Sequence, residues 1–234
     1  MAMPGADPRF GPDQRPLAVV RSRRARRMRL AVDPRTGTIR LSLPWRARLA
    51  PALAWVEDHR AWIEQQIARL PGPQPLGDGT SFTLGDDRLT VVWRADGGRA
   101  VRRDGALLHV GGPAEMVAPR ILRWLKKEAL AALTAETLAC AARAGVSVSR
   151  VSVADPRSRW GSCAVDGTIR YSWRLILAPA FVRHATVAHE VAHRVHMHHG
   201  PAFHALVAEL LAANPAPARA WLRTNGAALH WFGR

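Results

Sequence analysis

Apolar positions along the chain repeat at two different periods, and the change between them marks out its elements. Residues 26–32 and 38–43 read as strands joined through Asp33-Pro34-Arg35-Thr36-Gly37, a run of residues that set or permit unusual dihedrals, so the pattern predicts a hairpin. From 50 to 70 the period becomes helical, with Leu53, Val56, Ile63 and Ile67 recurring beside Trp55 and Trp62, and the Pro-Gly-Pro-Gln-Pro run at 71–75 stops the helix. Short apolar clusters at 82–84, 89–93 and 107–110 sit between Gly and Asp turns and read as strands extending an antiparallel sheet. Residues 118–144 carry Ile121, Leu122, Leu125, Leu130, Leu133 and Leu138 with neither Gly nor Pro after Pro119, which predicts a long helix ended by Gly145.

Two further strands are expected at 146–153 and 168–177, the second alternating Ile169, Tyr171, Trp173, Leu175 and Leu177. Pro179 opens the next helix, and a last helix around 203–213 stops before Asn214-Pro215. Strands and helices are segregated along the chain rather than alternating, so the expected class is α+β, not a doubly wound parallel sheet. The expected organisation is a mobile tail at 1–16, rich in Pro, Gly and Asp without periodicity, then a β-rich region with one helix at 17–117, then 118–234, which forms one compact unit with the region before it.

Composition changes this picture in one respect. With 48% hydrophobic and 22% charged residues the chain is of globular type, but 34 Lys and Arg against 18 Asp and Glu leave a net charge of +16. That excess predicts attraction to nucleic acid, to an anionic membrane surface or to an anionic substrate; a solvated Arg-rich surface is the alternative. Two cysteines, Cys140 and Cys163, make no disulfide framework and suit a reducing compartment. No apolar run approaches the roughly 18 residues that span a bilayer, and the arginine cluster at 21–29 is followed by no hydrophobic signal segment. The reading is a soluble cytoplasmic protein without a membrane partner; oligomeric state is left open.

The chemistry concentrates at His189-Glu190-Val191-Ala192-His193. Residues four apart lie one turn apart on one helix face, so both imidazoles reach a single metal ion, and Glu190 stands beside them as a base that does not ligate. Zinc is the expected metal, because it takes imidazole nitrogens tetrahedrally and leaves a position open for water. For the third ligand, His196 on a continuing helix climbs about 4.5 Å past His193, too far to converge, whereas His199 returns if His199-Gly200-Pro201 turns the chain. His199 is preferred, with Glu209 on the following helix as runner-up, and His196, His198 and His204 are read as exposed or supporting histidines. In the segment from Arg159 to Cys163, Arg159 and Cys163 could line a cleft, but the favoured reading is structural: Trp160 in the core, Gly161 at a tight turn, Cys163 as a small buried hydrophobe. Arg174 is the better candidate for an electrophilic helper.

Arg159-Trp160-Gly161-Ser162-Cys163, Gly167-Thr168-Ile169, Trp173-Arg174-Leu175-Ile176-Leu177, Pro179 and the HExxH with His199 and Phe203 together resemble the YgjP-like metallopeptidase-domain family in order and spacing, from about Val20 onward. The resemblance implies a zincin-like catalytic region with His189, His193 and His199 as zinc ligands and Glu190 as general base. Departures stand at Ser172, at His198-His199-Gly200 and at Phe203-His204, the last adding His204 as a ligand candidate. Three functions follow as expectations. The first is a zinc metallopeptidase acting on peptide or protein through zinc-bound water activated by Glu190. The second is a nucleoside-triphosphate pyrophosphatase using the same metal site, suggested by the positive charge. The third is a basic nucleic-acid-associated module with structural zinc, with the arginines at 21–29 as its docking surface.

Overall fold

The computed structural model describes residues 8–234, which fall into two compact units, one ending at Gly72 and the other beginning at Pro73. In the first, β1 (Arg9–Phe10), β2 (Arg15–Ser22), β3 (Arg29–Val32) and β4 (Ile39–Pro44) form one sheet in the order β1-β2-β4-β3. The expected hairpin is β3-β4, in register from Val32 opposite Ile39 to Arg29 opposite Ser42. Its turn is closed by Gly37 N–H on Asp33 O at 2.8 Å, with Gly37 at φ 70°, a conformation open to glycine at no steric cost. The parallel pairing of β2 with β4 was not foreseen.

The tail expectation fails from Arg9 onward, and residues 1–7 lie outside the described residues. Gly11 (φ 70°) and Gln14 (φ 49°) make a reversal between β1 and β2, and Phe10 and Leu17 are buried on either side of it. Phe10, Leu17, Ile39, Leu41 and Leu43 form one core with Ala52 and Val56 of α1 (Leu49–Asp58) and Ile63 of α2 (Arg60–Ala68). The single helix expected over 50–70 is broken at His59, which leaves helical dihedrals (φ −99°, ψ 16°) and donates from Nδ1 to Trp55 O at 2.8 Å.

The second unit is built around α3 (Val117–Arg143), which ends as expected at Gly145, φ 65°. Before it come β5 (Ser81–Leu84), β6 (Asp87–Arg94), β7 (Arg102–Asp104) and β8 (Leu107–Gly111), a separate sheet in the order β5-β6-β8-β7. This sheet is mixed rather than an antiparallel extension of the first: β7 folds back along the outer side of β8, so β8 enters beside β6 in the same direction. Phe82, Leu89, Val91, Leu108 and Val110 share their core with Ile121, Leu125 and Leu133 of α3. That shared core puts residues 73–117 with 118–234 in one unit, while the residues up to Gly72 form a compact unit with a core of their own, so the single unit expected over 17–234 divides at 72–73 and not at 117.

After α3, β9 (Arg150–Ala154), β10 (Gly161–Cys163) and β11 (Thr168–Ser172) form a third sheet in the order β10-β11-β9, with β10 at an edge. The strand expected over 168–177 stops at Ser172, and Trp173–Leu177 winds into a 3-10 turn. All five of those side chains are buried, so their alternation with apolar neighbours carried no two-sided signal. Three helices follow: α4 (Ala180–Ala192), α5 (Pro201–Leu211) and α6 (Ala216–Leu229). Helix α6 lies beyond the last helix that the apolar periodicity predicts, the one around 203–213. Its start was written in Asn214-Pro215-Ala216-Pro217, where Asn214 Oδ1 accepts from Ala216 N at 2.9 Å and Pro217 lies in the first turn. The fold is α+β, with 3 small sheets and 6 α-helices among the described residues, and no described helix is long and apolar enough to cross a membrane.

Candidate metal centre

Helix α4 starts at Pro179, whose fixed φ suits a helix entrance, and buries Val182, Ala185, Val187, Ala188 and Val191 in the surrounding core. That burial fixes its rotation and leaves His189 and His193 half-buried on the face that opens to solvent, with Glu190 5% exposed between them. The helix ends at His193, and Arg194 and His196 close a turn by donating from their backbone N–H groups to Val191 O and Ala192 O. The chain then returns through Gly200-Pro201 into α5.

The return brings His199 back to the helix, so that one nitrogen from each of His189, His193 and His199 lies within 4.8 Å of the others. His189 Nε2 and His199 Nε2 are 3.2 Å apart. Nitrogens bound tetrahedrally to zinc at about 2.0–2.1 Å stand roughly 3.3 Å apart, so this pair already has the spacing of one coordination edge. His193 Nδ1 donates to His196 O at 3.1 Å, which fixes the tautomer and leaves Nε2 with its lone pair free. Burial first, then the neighbouring histidine charges, holds His189 down to about 4; burial also lowers His193 against the opposing pull of its bond to His196 O. Neutral imidazoles are the form that binds a metal, so the donor set fits the metal that the motif calls for.

Phe203, 1% exposed, touches all three rings, with centroids 4.9 Å from His189, 4.6 Å from His193 and 4.7 Å from His199. It forms the floor of the centre, a role that the sequence motif did not reveal. His204 stacks beside His199 with ring centroids 6.3 Å apart and lines the adjacent cavity, but it is not one of the three clustered donors. Glu209, on α5, is not in that cluster either, and His198 is exposed.

Glu190 is raised to about 7 by burial, with the positive charge of Arg159 pulling the other way. Its side chain is held against β10: a Cβ built on Gly161 would stand 2.6 Å from Glu190 Cγ. Gly161 therefore allows a close approach of strand to carboxylate, rather than the tight turn expected for it. We predict that Gly161→Ala displaces Glu190 and lowers hydrolysis at least tenfold while the protein keeps its metal; parallel assays of turnover and metal content check this, and unchanged turnover would contradict the contact.

A cavity of about 270 Å³ opens beside His189 and Glu190, lined by Arg159, Trp160, His204, Arg219, Val207 and Leu222 among others. Trp160 packs against α6, where a Cβ on Gly226 would come within 2.8 Å of its ring. Arg159 thus reaches the cavity, as one of the two readings of its segment allowed. Arg219, on the unforeseen α6, was missed. Arg174 is not among the lining residues: it is 5% exposed, binds Asp155 through Nε at 2.7 Å and Nη2 at 3.0 Å, and donates from Nη1 to Leu229 O and Phe232 O at 2.5 and 3.1 Å. The role of electrophilic helper assigned to it is corrected accordingly. Four of its five donors are engaged, and they tie the end of β9 to the end of α6, so this buried guanidinium is a structural link rather than a group facing the cavity. Cys163, partly buried in β10, has its thiol pushed up by burial, which leaves it a poor nucleophile.

A HExxH helix whose two imidazoles meet a third from the following turn, with an edge strand laid against the intervening glutamate, defines a zincin-like metallopeptidase domain. The chain belongs to the YgjP-like metallopeptidase-domain family, whose model matches residues 26–225. No curated protein and no solved structure matches it. Membership brings metal-dependent hydrolase chemistry with it as the family's character.

Proposed function

We propose that this protein is a zinc-dependent hydrolase of peptide bonds, with His189, His193 and His199 as the ligands and Glu190 as the general base. The observation that carries the reading is the convergence of three imidazoles, one of which, His189, lines a cavity together with the buried carboxylate of Glu190. Three imidazoles are a donor set suited to zinc and leave it coordinatively open, unlike the closed four-ligand sites of structural zinc. When bound, the metal supplies Lewis acidity, enough to make water a nucleophile near neutral pH.

Glu190 takes the proton of the attacking water on a carboxylate oxygen and returns it to the departing amine as the carbon–nitrogen bond breaks. Its raised pKa, near 7, suits a group that must both accept and give up that proton. The edge strand β10 suits a peptide as well, since such an edge accepts an extended segment as an added strand and would lead it past Glu190. Arg159 and Arg219, which have no acidic partner among the described ion pairs, favour a second reading in which the same centre cleaves a nucleoside triphosphate. The deciding experiment incubates the protein with a peptide library and, separately, with the nucleoside triphosphates, with and without chelator. Chelator-sensitive peptide cleavage restored by zinc is expected; turnover of nucleotide without peptide transfers the site to the second reading.

A further inference from the structure

The first unit carries a concentration of charge that the metal centre does not use. Up to Gly72 the sequence holds fourteen arginines, no lysine and six acidic residues, so half of the chain's net charge sits on less than a third of its length. The acids do little to neutralise it: Asp13 pairs with Arg15, while Glu57 and Glu64 pair with Arg60. Arg23, Arg24, Arg26, Arg27, Arg46 and Arg48 are exposed and have no acidic partner among the described ion pairs.

The sheet adds two more. Leu17, Ile39, Leu41 and Leu43 bury one face, and the registers turn Arg40, opposite Ala31 and Ala18, and Arg29, opposite Ser42, to the other. Between those guanidinium groups the face holds Ala18, Val20, Ala31 and Ser42, all of them partly exposed. Immediately after the end of β4 comes Trp45, 53% exposed, where a tryptophan without a ligand would ordinarily be covered. Its turn is pinned, since Arg21 Nη1 donates to Trp45 O at 2.9 Å and Ala47 O at 2.7 Å. Arg23 lies over the indole at 5.3 Å, and Arg23, Trp45 and Arg46 line an open hollow of about 520 Å³.

We infer that this surface binds single-stranded nucleic acid, with the arginines on the phosphates and a base stacked on Trp45. Guanidinium groups bind phosphate oxygens two at a time, which favours arginine over lysine for this task. An aromatic plane inside a cationic field is the combination that recognises unstacked bases, whose faces a duplex hides. Charge alone would suit an anionic lipid surface equally; the exposed indole, carried on a pinned turn and lining an open hollow, selects the base.

The test is fluorescence anisotropy of a labelled fifteen-nucleotide oligothymidine with the full chain. We expect affinity to fall with salt at a log–log slope of about −2 to −4, near 0.7 per phosphate contacted. Trp45→Ala should weaken binding about tenfold, within the range of one lost stack, and Trp45→Phe should restore most of it. Arg23→Glu with Arg46→Glu should reduce binding far more than Arg88→Glu with Arg99→Glu, which changes the net charge equally on the second unit. Circular dichroism confirms that each variant is folded. Equal effects of the two charge reversals, a Trp45→Ala protein that binds as tightly as the parent, or tighter binding to duplex or to phosphatidylserine vesicles than to the single strand would overturn the inference.

Discussion

Glu190→Gln is expected to keep its metal and its fold while hydrolysis falls by about 10²–10⁴-fold, the usual contribution of a general base. The amide is nearly isosteric with the carboxylate, so the close fit against Gly161 survives and the imidazoles on either side are untouched. What is lost is a group able to take the proton from water at neutral pH. The measurement pairs elemental analysis with turnover on whichever substrate the wild-type protein cleaves. A mutant with full metal and undiminished hydrolysis would remove Glu190 from the mechanism even with the three histidines confirmed as ligands. A structural-metal reading predicts that outcome, since no proton transfer would then be at stake.

The second large effect concerns the metal itself. His193→Ala should empty the centre, because losing even a group that merely orients a ligand costs 10–100-fold in metal affinity, and a ligand costs more. His199→Ala should behave in the same way, whereas Glu209→Ala and His204→Ala should retain about one metal per chain. Thermal unfolding provides a readout independent of activity: zinc at a hundred times its dissociation constant stabilises the wild-type protein by about 2.7 kcal/mol, and His193→Ala should show no such shift. Stoichiometric zinc in purified His193→Ala would refute the assignment. Retention in His199→Ala with loss in Glu209→Ala would move the third ligand to α5.

Much of the centre could be read from the sequence because helix geometry converts a four-residue spacing into a shared face, and because Gly200-Pro201 announces the turn that brings His199 back. The elements read well where one side of the chain faces water: β3-β4 and α3 carry periodic apolar stripes, and glycines with positive φ close them. Elements buried all round were harder to read. Trp173–Leu177 looked like a strand because five apolar or buried positions in succession contain no period to distinguish a 3-10 turn. Arg174 misled for a related reason: its partners, Asp155 and two carbonyls near the C-terminus, are distant in sequence, so nothing local distinguished an engaged arginine from a free one. The omission of α6 hid Arg219, and with it half of the cationic lining of the cavity. The parallel pairings β2-β4, β6-β8 and β9-β11 were also out of reach, since hydrophobic alternation records which face a residue occupies but not which strand lies beside it.

Phe203 has a thermodynamic consequence beyond its place in the floor. Each imidazole of the centre packs on that one ring, and the third arrives on a loop of only a few residues, so the chain needs little additional ordering to bring the donors together. The rotamer freedom of these side chains is therefore surrendered when α5 docks, during folding, rather than when an ion arrives. Preorganisation of this kind converts packing in the hydrophobic core into metal affinity. It makes the tightness of the centre a property of a phenylalanine that bears no donor atom at all.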